Sequence, residues 1–517
     1  MGLGLFALLA LLVAADPPTN ASTSLAPFTD EGFNLVNSRN LIQLGQWSND
    51  EWTRHLVELP FSLLEAAAFQ LGGVGIVQAR LPMIACVSVT ASALVWGMRG
   101  LVGRACAIFC GLAFAGSGLV LLYGRLVFFE DLVVLGIALG TLVLVRDSLV
   151  NLRGGILAGG CYAIAIGTKP NAAFAVLGIL VALSVAWGWR DRGLRRWLVG
   201  AGLTIGLSGL VWAIAIWLPN RSAVAIDIST WPAVQFALTP RAIAHSVAVY
   251  LLRGSDQVVG PLLGPLLALA AAGAVAIVAF RRRLSGPEAR LAVAAAGWAG
   301  FGFAILLDVS YRPNRYAVPL VPALAILAAI GLHVGGQWLA ERLEARRMDA
   351  AEPNPERAFD PAAPALVAAP DPAAAPALVA APALLAQPGR ARRRTTPLLA
   401  TVAVLISVAP GLALYGTWAS RASYNLVAIQ NQFESAVPAG ERVAGRDVAL
   451  FLMRSRAVVT IVEFINQGDL YAEGVRLYLL LPSDPVPNGV PDTAWAGRQV
   501  ITCADWSGVK ECLFRVP

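Results

Sequence analysis

Long apolar runs, almost free of charged residues, recur along the 517-residue chain and are separated by short polar stretches. About 20 residues at 1.5 Å rise cross a hydrocarbon core of roughly 30 Å, so each run predicts a transmembrane helix. Eleven spans are read, at about 2–15, 80–98, 105–123, 132–145, 155–168, 170–188, 197–218, 259–280, 291–307, 316–334 and 398–418. This pattern excludes a soluble enzyme, a β-barrel and a disordered scaffold. The fold class expected is an all-α polytopic membrane protein of about 11 transmembrane helices.

Three soluble parts remain. Residues 16–79 form a long loop in which Phe33, Leu35, Val36, Leu41, Ile42 and Leu44 predict a helix lying on the membrane interface. Residues 351–389 repeat a Pro-Ala-Leu-Val-Ala-Ala-Pro pattern and end in an arginine cluster, which reads as a linker with no core to bury. Residues 420–517 carry short apolar stretches such as Val458-Val-Thr-Ile-Val-Glu and Val475-Arg-Leu-Tyr-Leu-Leu-Leu, enough for one small α/β domain. The expected division is therefore a membrane module over 1–335, a linker over 336–397, a last span over 398–418 and a soluble domain over 419–517.

Composition agrees: 57% of residues are hydrophobic and 14% charged, against about a quarter in soluble domains. The charge of +7 matters for its placement. With an inward N-terminus, the even-numbered loops and the linker hold 20 of the 39 cations, among them Arg281, Arg282, Arg283 and Arg290. Nine more lie in the C-terminal tail and ten are spread over the outer loops. The positive-inside rule then predicts a cytoplasmic N-terminus and an outer C-terminal domain. The near-absence of lysine beside arginine, with abundant alanine, suggests a bacterial source and so a bacterial inner membrane. The first run, Met1 to Ala15, reads as a retained span, with a signal peptide cleaved after Val13-Ala14-Ala15 as the alternative. No nucleic acid is needed to explain the basic balance. Cys503 and Cys512, in the outer tail, are placed to pair. His55, His245 and His333 are far apart, and no motif with metal-ligand spacing occurs, so no metal or other cofactor is assigned.

Outer cations set against the bilayer run counter to the charge trend. Arg80, Arg125, Lys169, Arg312 and Arg315 all stand at outer span ends. Singly, each suits a snorkelling anchor; together they suit an anion at the membrane boundary, a lipid-linked phosphate first. Acids occur on the same face: Asp30 and Glu31, Glu130 and Asp131, and Asp308. Carboxylates beside cations in a partly dry pocket suit a base that activates a hydroxyl next to a phosphate leaving group.

These residues resemble a known family. Phe28-Thr-Asp-Glu-Gly occurs in the first outer loop, and Gln78-Ala-Arg-Leu-Pro, Gly124-Arg-Leu-Val-Phe-Phe-Glu-Asp, Gly167-Thr-Lys-Pro and Asn314-Arg-Tyr-Ala-Val-Pro-Leu-Val-Pro follow in that order at span ends. The chain thereby resembles, from the first span to about residue 335, the GT-C superfamily of polyprenyl-phosphate-sugar-dependent glycosyltransferases. The branch is that of the protein mannosyltransferases and the lipid A aminoarabinose transferase. The resemblance implies a GT-C-like fold and an inverting transfer of sugar from a polyprenyl-phosphate donor to a hydroxyl of a lipid, glycan or protein acceptor. It implies Asp30 as the catalytic acid that deprotonates the acceptor, Glu130 or Asp131 as the second acidic position, and Lys169 and Arg315 near the donor phosphate. The stretch His55-Leu-Val-Glu-Leu-Pro-Phe departs from the family pattern, leaving His55 and Glu58 without a role, and nothing beyond residue 351 has a counterpart. Two rivals stand beside this reading. One is an O-antigen ligase or polymerase using a diphosphate-linked donor. The other is a secondary transporter, for which the expected internal repeat is missing.

Overall fold

The computed structural model describes residues 1–17, 30–47, 58–188, 190–222, 239–248, 259–308, 314–351, 390–445, 447–461, 470–484, 486–487, 489–506 and 509–517. Its elements open with α1 (Gly2–Ala10), α2 (Asp30–Leu44), α3 (Leu59–Gly72), α4 (Ile76–Met98), α5 (Gly103–Ala115), α6 (Gly118–Tyr123) and α7 (Phe129–Leu142). They continue with α8 (Leu152–Thr168), α9 (Ala172–Trp187), α10 (Arg192–Trp212), α11 (Pro240–Val247), α12 (Val259–Ala279) and α13 (Gly286–Asp308). A 3-10 turn at Asn314–Leu320 leads into α14 (Val321–Ala351), followed by α15 (Arg390–Ala419) and the C-terminal domain.

Five of these helical segments are long and apolar enough to cross a membrane: Ile76–Met98, Arg192–Trp217, Gly286–Leu307, Asn314–Arg347 and Thr396–Ala419. Shorter apolar helices at Gly103–Ala115, Leu152–Thr168, Ala172–Trp187 and Leu263–Ala279 fall on four further predicted spans. Two expectations change in detail. The run 105–123 is two helices, because the chain leaves α5 at Gly116 and restarts after Ser117, whose extended backbone cannot continue a helix. The run 316–334 belongs to a helix that continues to Ala351, since nothing in Arg342-Leu-Glu-Ala-Arg-Arg breaks it.

Local sequence fixes where several helices begin. Asn151 accepts from Gly154 N at the start of α8, and Asp191 accepts from Leu194 N at the start of α10. Within the bundle α8 lies along α10, α9 along α13 and α12 along α14. At two of these crossings glycine faces glycine. A Cβ on Gly178 would stand 2.3 Å from the Gly297 carbonyl oxygen, and one on Gly331 would stand 2.1 Å from the Gly273 Cα. Small residues let membrane helices approach closely, which is where such helices gain their packing energy.

The C-terminal domain holds a five-stranded mixed sheet in the order β2-β1-β3-β5-β4, where β1 is Arg442–Gly445, β2 Val458–Ile461, β3 Leu477–Leu480, β4 Gln499–Trp506 and β5 Val509–Arg515. β1 runs parallel to β2 and β3, and β5 runs antiparallel to β3 and β4. Helix α16 (Asn425–Ala436) and the short α17 (Val448–Phe451) cover one face. The expected α/β core is present, and Cys503 is bonded to Cys512 across β4 and β5.

One core unites this domain with the membrane module. Leu35 and Val36 of α2, Phe61 and Phe69 of α3, and Met83 of α4 share a buried cluster with Leu450, Phe451 and Trp506. The helix expected at 33–44 therefore forms, but it does not lie on the lipid surface. Its apolar residues are covered by the C-terminal domain on one side and by α3 on the other, and that packing removes them from water.

Candidate active site

Four of the charged residues singled out in the sequence meet at one end of the bundle. Asp30 is the first residue of α2, where the helix dipole favours a carboxylate. Glu130 lies in the first turn of α7, entered through the extended Phe128. Lys169 ends α8 in an extended conformation, as a residue preceding proline must, and Pro170 follows it. Arg315 stands in the 3-10 turn before α14.

Their side chains form a chain of alternating charge. Arg315 Nη2 lies 2.7 Å from Asp30 Oδ2, Arg315 Nε lies 4.0 Å from Glu130 Oε1, and Lys169 Nζ donates to the same Oε1 at 2.5 Å. The formal charges cancel. Exposure is graded: Glu130 is 2% exposed and Arg315 11%, whereas Asp30 reaches 36%. Asp30 is thus the carboxylate that water or a hydroxyl reaches. Aromatic rings frame the cations, with Lys169 Nζ 4.1 Å from the Tyr316 ring centre and the Arg315 guanidinium 5.3 Å from that of Phe128. Tyr316 was not singled out as a site residue, although its place directly after Arg315 in Asn314-Arg-Tyr offered the signal.

Glu31, Arg80 and Arg125 form a different unit, and this departs from the places expected for them. Arg80 clasps Glu31 through Nε at 2.8 Å and Nη2 at 2.6 Å, and both side chains are fully enclosed. Arg80 Nη1 also donates to the carbonyls of Val13 and Ala15. Arg125 donates to the carbonyls of Ala15 and Asp16 and stacks 4.1 Å from the Trp418 ring centre. These arginines hold the segment leaving α1 rather than an open anion site. A buried guanidinium needs several acceptors, and the carbonyls beyond the end of α1 supply them.

That unit also sets the distance between the two acids. Glu31 Oε1 accepts from Val127 N at 3.0 Å, and Asn34 Nδ2 donates to Val127 O at 2.8 Å, so α2 grips the hairpin three residues ahead of Glu130. Asp131 is enclosed, and neither carboxylate oxygen has a hydrogen-bond partner among the described residues. Of the two acids at this position, Glu130 is the one joined to Lys169. Glu58 is buried at the start of α3. Arg312 and His55 lie outside the described residues, as does the side chain of Asp308. No group of three metal-ligating side chains occurs among the described residues.

Two residues that the sequence did not single out tie the N-terminal part of the chain to the C-terminal domain. Arg39, fully buried, donates from Nε to the carbonyls of Leu452 and Met453 and from Nη2 to those of Ser455 and Ala457. Burial lowers its pKa to about 10, with Glu434 opposing, so it stays charged at neutral pH. Asp16 accepts from Ser423 Oγ and from the backbone N–H groups of Asn425 and Leu426, capping α16 with a residue from the far end of the chain.

No family model and no curated protein sequence matches the chain. Solved structures do. The chain is similar to ArnT from Cupriavidus metallidurans bound to undecaprenyl phosphate, with a TM-score of 0.61 at 16% identity over 99% of this chain and 97% of that one. It is also similar to the archaeal oligosaccharyltransferase AglB from Archaeoglobus fulgidus, in complex with an inhibitory peptide and a dolichol-phosphate. There the TM-score is 0.51 at 12% identity over 93% of this chain and 69% of that one. The arabinofuranosyltransferase AftD from Mycobacteria gives 0.52 at 14% identity, covering 100% of this chain and 40% of that one. The chain has the fold of these membrane glycosyltransferases over nearly its whole length.

Proposed function

We propose that this protein is a membrane glycosyltransferase that takes a sugar from a polyprenyl monophosphate and passes it, with inversion, to a hydroxyl of a lipid, glycan or protein acceptor at the outer face. The observation that carries this reading is the convergence of Asp30, Arg315, Glu130 and Lys169 at one end of a bundle with this fold. Two similar proteins were solved with a polyprenyl-type phosphate, undecaprenyl phosphate in ArnT and dolichol-phosphate in AglB.

The chemistry follows from the charges. An arriving phosphate competes with Asp30 for Arg315 and releases the carboxylate. Asp30 then takes the acceptor's proton while the acceptor oxygen attacks the anomeric carbon. The bond from that carbon to the phosphate oxygen breaks, and its electron pair leaves on the polyprenyl phosphate. Lys169 and Arg315 neutralise the departing charge. Glu130, joined to Lys169, keeps the ammonium aimed at the phosphate and so acts by positioning. Glu31, Arg80 and Arg125 support the scaffold in this scheme.

Asp30→Asn keeps the shape and the helix-capping capacity but removes the basicity. Turnover is expected to fall by about 10²–10⁴-fold with thermal stability unchanged. Sugar transfer at wild-type rate by folded Asp30→Asn would end this assignment. Supplying monophosphate-linked and diphosphate-linked donors side by side tests the donor class; consumption of only the diphosphate form would overturn the reading.

A further inference from the structure

The end of the bundle away from these four residues gathers the loops predicted to be cytoplasmic. Arg290 pairs with Asp147, and Arg283 pairs with Glu341 at 2.5 Å. Between the end of α9, the end of α12 and the start of α13 lies a cavity of about 330 Å³. Its walls are apolar, with Ile277 and Val293 among them, and Trp187 and Ala289 line both it and a smaller adjoining cavity. Arg281 and Arg282 also line it.

Those two arginines differ from their neighbours. Both are exposed, and among the described residues neither has an ion-pair partner, whereas Arg283 and Arg290, which follow them in the chain, are neutralised. An apolar cavity at the end of a membrane helix, edged by two unneutralised guanidiniums and a tryptophan, matches the two halves of one kind of ligand. Free phosphate satisfies the cations but leaves the apolar walls wet. A neutral lipid fills the walls but leaves the charges unmet. Basic pockets between helices on the cytoplasmic side are where anionic head groups bind.

We propose that this cavity binds an anionic phospholipid, with an acyl segment between Ile277 and Val293 and the phosphate bridging Arg281 and Arg282. The site is separate from the candidate active site and independent of the function assigned to it.

Native mass spectrometry of the purified full-length protein tests this, titrated separately with phosphatidylglycerol, phosphatidylcholine and inorganic phosphate. Phosphatidylglycerol should be retained in preference to phosphatidylcholine. Arg281→Gln with Arg282→Gln should weaken it by about ten- to a hundred-fold, the usual effect of losing charge-assisted contacts. Arg281→Lys with Arg282→Lys, which keeps both charges, should retain most of the binding and shows that the mutated turn still folds. Ala289→Leu, which fills the cavity and leaves the charges in place, should also weaken lipid binding. Equal retention of the two lipids, or unchanged phosphatidylglycerol binding in either the Gln pair or Ala289→Leu, would overturn the proposal. Displacement of the lipid by inorganic phosphate at comparable concentration would overturn it too, by showing a bare anion site.

Discussion

Arg315 is shared between two carboxylates, and that sharing decides what its loss should do. Lys169→Ala and Arg315→Ala should each weaken donor use by about ten- to a hundred-fold, because a charge-assisted contact to phosphate is lost. Lys169→Ala should also lower thermal stability, because it takes the ammonium from the buried Glu130 carboxylate. Unchanged donor affinity in both folded variants would make them simple membrane-edge anchors. Glu65 of α3 gives a residue-scale prediction of another kind. It is fully buried, and neither oxygen has a hydrogen-bond partner among the described residues. Burial, reinforced by nearby Glu31, raises its carboxyl well above the ordinary 4.5. The folded protein thus holds this proton more tightly than the unfolded chain does. The resulting stabilisation is complete below pH 4.5 and declines as pH rises toward the folded value. Thermal unfolding measured from pH 5 to 8 should therefore show a decline that Glu65→Gln abolishes, with the Gln variant at least as stable at pH 7. A Gln variant with the wild-type slope would exclude Glu65 as the source.

At the scale of elements, α2 is a helix held from the side. Gly32 lies so close to α17 that a Cβ there would stand 2.4 Å from Leu450 N, and Arg39 fills a cage of four carbonyls one turn beyond that helix. Arg39→Ala leaves those acceptors buried and unmet, at about 1–3 kcal/mol for each. Both the melting temperature and turnover should fall, and Arg39→Lys should restore only part because one ammonium cannot reach every carbonyl. Full activity in Arg39→Ala would show that α2 stands without the clamp. The pattern of apolar positions revealed that residues 33–44 form a helix, but periodicity does not say what covers a face, and here it is a domain more than 400 residues away in sequence. The same limit explains Arg80 and Arg125. A cation at a span end is plain in the sequence, whereas whether a phosphate or a backbone carbonyl meets it depends on the path of residues 13–16. Glu130, Lys169 and Arg315 were legible because each stands at a span end on one predicted face, and helices of that length leave their ends in one plane. Asp30, inside the long loop after the first span, was legible only through the resemblance carried by Phe28-Thr-Asp-Glu-Gly.

Across the whole molecule, the pairings Arg290–Asp147 and Arg283–Glu341 collect one set of loops and the Asp30–Lys169 chain collects the other, as an alternating path through a membrane requires. Cysteine labels introduced near residue 370 should react only from the cytoplasm, and labels near residue 490 only from outside. The reverse pattern would place the four charged residues on the wrong side for a donor presented outside. The carbonyl cage around Arg39 bears finally on time rather than space. A ribosome makes residue 30 early and residues 452–457 late, so throughout most of synthesis α2 lacks the partner that fixes it. On the proposed function, chains cut short before residue 457 should therefore reach the membrane yet transfer no sugar, because the helix that begins at Asp30 lacks its clamp. In the proposed scheme, then, the last domain to be made is the one that fixes the helix beginning at Asp30.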